Sequence, residues 1–171
     1  MNKIFLLKNL INPYNLFRFL NAVLNNKKNS IFSDEKYLKA SIDWLLTALS
    51  DKGGFLASYS LIKGWEKPYP ETTGYIIPTL LNFINSSDYR KNEVVNAIRK
   101  SGEWLISIQN EDGSFNEVSG IEPIVFDSGQ ILFGLIAMYE YSGEKKYIES
   151  AKKNGYVAVR DTRRKWLLAK K

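Results

Sequence analysis

Glu71 and Asp127 are the acids best placed in this sequence to do chemistry. Each stands at the predicted start of a strongly apolar helix. Trp65, Tyr69 and Tyr75 surround Glu71, and Gln130 follows Asp127 by three residues. Helix N-termini favour anions and offer free N–H groups. Two carboxylic acids among aromatic rings suit cleavage of a glycosidic bond: one acid protonates the leaving oxygen while the other activates water or attacks. Glu71 and Asp127 are therefore the candidate catalytic residues, and Trp65, Tyr69, Tyr75 and Gln130 the candidate substrate-binding ones. Aromatic faces cover the C–H surfaces of sugars, and the same rings can line a cage for an isoprenoid cation. Each acid also has a purely structural reading. Asp127 as an N-cap with Gln130 makes a variant capping box. Glu71, just ahead of its helix, favours the helix dipole.

The rest of the composition narrows the chemistry. The 171 residues include no His and no Cys. Imidazole general bases, Ser-His-Asp and Cys-His nucleophiles, disulfides and His- or Cys-ligated metals are excluded. The expected site uses neither metal nor cofactor. Hydrophobic residues make up 44% and charged residues 25%, an ordinary globular balance for a single domain. The net charge is +6, from 24 Lys/Arg and 18 Asp/Glu. Eight of the basic residues and one acid fall in 151–171, which leaves 16 and 17 in residues 1–150. The body is thus neutral, and no basic face argues for nucleic acid.

The elements that must position the acids come in repeats. Trp44-Leu45, Gly53 and Phe55 recur with the same spacing as Trp104-Leu105, Gly113 and Phe115. Thr72-Thr73-Gly74-Tyr75-Ile76-Ile77 aligns with Asp127-Ser128-Gly129-Gln130-Ile131-Leu132. Each unit reads as two helices. The first is amphipathic: Tyr37, Leu38, Ile42, Leu45, Leu46 and Leu49 share a stripe, as do Val94, Val95, Ile98, Trp104, Leu105 and Ile108. Gly53-Gly54 and Gly113 are expected to end these helices at C′. The second helix is apolar nearly all round, with Ile76, Ile77, Leu80, Leu81, Phe83 and Ile84, then Ile131, Leu132, Phe133, Leu135, Ile136 and Met138, and is expected to be buried on most sides. Pro78 falls inside or near the start of the first of these. Trp44 and Trp104, at equivalent positions, read as packing residues. Residues 144–158 begin a third outer helix. The fold class is all-α: stacked αα-hairpins in about two and a half repeats.

With these motifs, Trp104-Leu105 through Gln109, Asp112-Gly113-Ser114-Phe115, Pro70-Glu71-Thr72-Thr73-Gly74-Tyr75 and Phe126-Asp127-Ser128-Gly129-Gln130, the chain resembles the α/α toroid enzymes over about residues 35–155. These are the terpenoid cyclases, the protein prenyltransferase β subunits and, more loosely, the six-hairpin glycosidases and polysaccharide lyases. The resemblance implies inner helices around a cavity with the acids at its mouth. A closed toroid needs roughly six hairpins, or ~330–360 residues at this period, so the chain reads as a partial toroid.

The flanks read differently. Residues 1–32 form a basic amphipathic extension. Within it Leu16, Phe17, Phe19, Leu20, Val23 and Leu24 share a helical face that suits docking on the protein better than a membrane surface. No run is long enough for a transmembrane span, and no signal peptide is evident, so a cytoplasmic protein is expected. After the hairpins of 33–158, the tail 159–171 is basic and breaks the repeat. A back-translation of 155–164 can be chosen whose second frame reads Gly-Met-Trp-Leu-Cys-Glu-Ile-Gln-Asp, the missing repeat. The expectation is a shifted frame, with further hairpins encoded beyond it. Three functions follow. The first is a carbohydrate-active fragment of hydrolase, lyase or epimerase type with a saccharide or other small molecule as its partner. The second is a cyclase- or prenyltransferase-like protein, although no Asp-x-Asp-Asp cluster is present. The third is a non-catalytic helical-repeat binding protein, its open arc prone to self-association.

Overall fold

The computed structural model describes residues 34–119 and 124–168, with Phe17 and Leu20, and side chains as far as Arg160. Apart from Phe17 and Leu20, which are helical and exposed, the proposed extension 1–32 lies outside the described residues. The described chain is mostly helical. Helix α1 spans Asp34–Thr47, α2 Pro70–Ser86, α3 Lys91–Ile108, α4 Val125–Ser142 and α5 Lys145–Leu168. A two-stranded hairpin, β1 (Tyr59–Ser60) and β2 (Gly64–Trp65), interrupts the first long loop. Helix α5 continues past the predicted end at 158, through the boundary set for the basic tail. No helix among the described residues is long and apolar enough to cross a membrane.

Helices α2 and α4 form the centre. Ile77, Leu80, Ile131 and Leu135 are fully buried between neighbours, and each such side chain contributes roughly 1.5–3 kcal/mol by leaving water. Phe133 departs from the expected burial, being 61% exposed on the open side of α4. The two helices approach at glycines. A Cβ on Gly74 would lie 2.6 Å from the Gln130 carbonyl oxygen and from Ile131 Cα, and one on Gly134 would strike the Gly74 carbonyl oxygen. Pro78 is well inside α2 and has no N–H for that carbonyl, its ordinary helical donor at i+4. The Gly74 oxygen, without its i+4 donor, lies against the bare backbone of Gly134, where a weak C–H contact can meet it. Pro78, Leu81, Asn82 and Asn85 of α2 face Ala137, Glu140 and Tyr141 of α4 across a groove of about 310 Å³.

The turn after each amphipathic helix has the same geometry twice. Ser50 N–H donates to the Gly54 carbonyl (3.0 Å) and Gly53 N–H to the Ser50 carbonyl (3.0 Å); Asn110 and Gly113 repeat both bonds at 3.0 and 2.9 Å. Phe55 and Phe115 are fully buried behind these turns. The glycines are not C′ residues as expected, because α1 ends at Thr47 and α3 at Ile108. They serve the turn itself: φ is 108° at Gly53 and 94° at Gly113, and each lies against the backbone of the next outer helix, at Lys100 and Lys153.

Candidate functional site

The turn carries the start of α2. Thr73, fully buried, accepts the Phe55 N–H (2.9 Å) through its hydroxyl and donates that hydroxyl to the Tyr69 carbonyl (2.8 Å). Tyr69 is the N-cap residue of α2, although its side chain makes no capping bond. The phenol is used elsewhere: Tyr69 Oη donates to Asp127 Oδ2 at 2.8 Å and so ties the starts of α2 and α4. Two expectations are corrected here. Glu71 is inside the first turn of α2, not ahead of it. Asp127 is inside the first turn of α4, whose N-cap is Ile124 with no side-chain cap. Its carboxylate serves a tertiary bond in place of a capping box.

Burial and charge set the electrostatics. Asp127 is only 4% exposed. The Tyr69 phenol is pushed up to about 12, first by burial, then by its bond to Asp127 and the negative charges of Asp127, Glu71 and Glu117. The Glu71 carboxyl is raised above its ordinary range, chiefly by burial and also by the Asp127 charge, while a hydrogen bond from Thr72 Oγ1 (3.2 Å) opposes the shift. A carboxyl raised in this way holds its proton more tightly in the folded protein than in the unfolded chain. The stability it contributes is full below the unfolded value, near ~4.3, and is lost as pH rises through the raised folded value. Glu71→Gln is therefore expected to melt at a higher temperature than the parent at about pH 7 and at the same temperature near pH 3.5. A variant no more stable than the parent at neutral pH contradicts this. Among the described residues no group of three or more carboxylates could hold a metal ion.

Next to this cluster lies a cavity of about 330 Å³, at the lower end of the ~300–1,000 Å³ typical of small-molecule sites. One face of α2 lines it with Thr72, Tyr75, Ile76 and Thr79, and α1 and the β-hairpin supply Trp44, Tyr59 and Trp65. The Trp44 and Trp65 ring centroids are 5.1 Å apart at 39°, and Tyr59 meets both edge-on, at 6.3 and 5.0 Å. The structure thus brings Tyr69, Glu71 and Asp127 together in one group and Trp65 and Tyr75 in another, with Thr72 on the boundary. Gln130 is not among the residues that line the cavity. It meets α2 through its backbone carbonyl, at Gly74.

Tyr59 escaped the sequence reading, and Trp44 was expected only to pack. Trp104 is indeed a packing residue, its buried ring lying against Gly54 of the preceding turn. Its repeat equivalent Trp44 is 40% exposed and turns to the hairpin and the cavity. The aromatic density of the 56–71 loop was the one signal for this. No protein-family model, no curated protein and no solved structure matches the chain.

Proposed function

We propose that the chain is part of an α/α toroid of carbohydrate-active type, of the hydrolase, lyase or epimerase class, with its site at the starts of α2 and α4. The observation that carries this is the raised Glu71 carboxyl and the Tyr69-held Asp127 beside an aromatic cavity. Glu71 retains its proton more readily than an ordinary carboxyl, as the donor to a leaving glycosidic oxygen must. Asp127 is fixed by Tyr69 through Oδ2, and among the described residues no hydrogen bond is made to Oδ1. In hydrolysis Glu71 would give its proton to the glycosidic oxygen. A water held by Asp127 would add to the anomeric carbon and leave its own proton on that carboxylate. The recurring turns and the parallel course of α2 and α4 support the toroid reading.

The rings weigh against a cage for an isoprenoid cation, because Trp44, Tyr59 and Trp65 pack on one another in one cluster. A non-catalytic repeat surface has one observation in its favour: Phe126, Phe133 and Tyr141 of α4 are 65%, 61% and 51% exposed, and exposed apolar side chains on one element are what a binding surface uses. Calorimetry with a panel of oligosaccharides separates these readings. Binding by the parent chain is expected, with loss in Trp65→Ala and weakening in Glu71→Gln. Saccharide binding that neither substitution alters would remove the site, and no saccharide binding would leave the repeat-surface reading.

A further inference from the structure

We propose that the groove between the later turns of α2 and α4 is a binding site for a free aliphatic amine, one ammonium group on a short apolar stem. This is independent of the saccharide reading, because Glu71 and Asp127 stand in the first turns of the same helices. The groove volume of about 310 Å³ is at the lower end of the ~300–1,000 Å³ typical of small-molecule sites. That suits a whole small molecule better than a segment of protein. The lining has two parts. Pro78, Leu81 and Ala137 are half-buried and apolar, while Asn82, Asn85, Glu140 and Tyr141 are exposed and polar. An apolar stem fits the first group and a polar head the second.

Charge complementarity fixes the sign of that head. Glu140 is the charged residue of the lining, and its carboxylate makes no ion pair or hydrogen bond with another described residue. Both helices also end here, α2 at Ser86 and α4 at Ser142. Helix C-termini favour cations, yet neither last turn carries Lys or Arg. One carbonyl at each end is capped, Phe83 by the Ser87 N–H and Tyr139 by the Gly143 N–H. Tyr141 adds a ring that is 51% exposed, and tyrosine rings attract ammonium groups. An ammonium has three donors and no acceptor. It therefore suits the Glu140 carboxylate together with the carboxamide oxygens of Asn82 and Asn85, whereas an anion would be repelled by Glu140.

The test is a chemical-shift titration of the full chain with n-pentylamine, its neutral counterpart 1-pentanol and Nα-acetyl-lysine methylamide. It is run at about 10 mM salt, where the screening length is ~30 Å. Pentylamine is expected to shift the side-chain amide signals of Asn82 and Asn85 and to bind about tenfold more tightly than pentanol, the combined scale of an exposed ion pair, a helix end and a cation on a ring. Glu140→Gln is expected to weaken pentylamine about three- to fivefold, and Tyr141→Leu about two- to fivefold. Both residues are exposed, so neither change disturbs the core. Glu149→Gln removes an exposed acid of α5 outside the groove and is expected to leave the affinity unchanged. Pentanol binding as tightly as pentylamine would overturn the proposal, as would unmoved Asn82 and Asn85 signals or equal losses in Glu140→Gln and Glu149→Gln. Tighter binding of the lysine derivative than of pentylamine would overturn the assignment to a free amine in favour of a lysine side chain.

Discussion

Alanine at Gly74 is expected to cost about 2–3 kcal/mol, the upper part of the range for inserting atoms into a filled interior. Alanine at Gly129 is expected to gain up to about 1 kcal/mol from helix propensity. The two positions are equivalent in the repeat, and both are helical. They differ in what a methyl group would meet. At Gly74 the obstacle is backbone, the Gln130 carbonyl and Ile131 Cα at 2.6 Å. Backbone in a helix cannot swing aside as a side chain can, so α2 and α4 must part. Every apolar contact along the crossing then loosens, including those of Ile77 and Ile131. Gly134→Ala meets the same interface from the other side and is expected to behave like Gly74→Ala. At Gly129 there is nothing within 4 Å. Urea unfolding of the three variants checks this, and a Gly74→Ala protein as stable as Gly129→Ala would show that the helices do not cross there.

Gly53→Ala and Gly113→Ala are expected to lose about 2–5 kcal/mol each, with similar values for the two. Two costs combine. A side chain at positive φ costs roughly 1–2 kcal/mol, and both residues hold φ near 100°. The added Cβ then presses on the next outer helix, on the Lys100 carbonyl in one case and 2.6 Å from Lys153 Cβ in the other, an overpacking cost of ~1–3 kcal/mol. The first site carries one burden more, because the Gly53 carbonyl accepts the buried Ser101 hydroxyl at 2.9 Å, so its loss is expected at the upper end. Thermal unfolding of both variants measures the effect. A loss below about 1 kcal/mol at both sites would mean that the chain can relieve positive φ by a small shift of the turn.

Much of this was legible because it is local. The 3.6-residue period of Ile76, Ile77, Leu80 and Ile84 reports a buried helix face wherever it occurs, and the spacing of Gly53 to Phe55 and Gly113 to Phe115 marked a repeated turn before any coordinate. Three of the misreadings involve residues whose role is set by a distant part of the chain. Asp127 looks like a cap because Gln130 stands three residues on; its real partner, Tyr69, comes from the other central helix. Gly113 looks like a helix stop because it follows α3, yet what demands glycine there is Lys153. Trp44 and Trp104 share a sequence position but not a neighbour, since a turn covers one and the β-hairpin stands against the other. Sequence also placed Tyr69, Glu71 and Asp127 in one candidate site without the bond that joins them, because a hydrogen bond between residues 58 apart leaves no period to read.

The central helix pair is tied at its start by the Tyr69–Asp127 bond and meets backbone to backbone further along, at Gly74 and Gly134. A groove opens between the later turns, yet Leu80, Phe83 and Ile84 of α2 and Leu135 and Met138 of α4 are buried in that same stretch. The acid-bearing end is therefore braced by packing that continues well beyond it, and the groove is a notch in a joined pair.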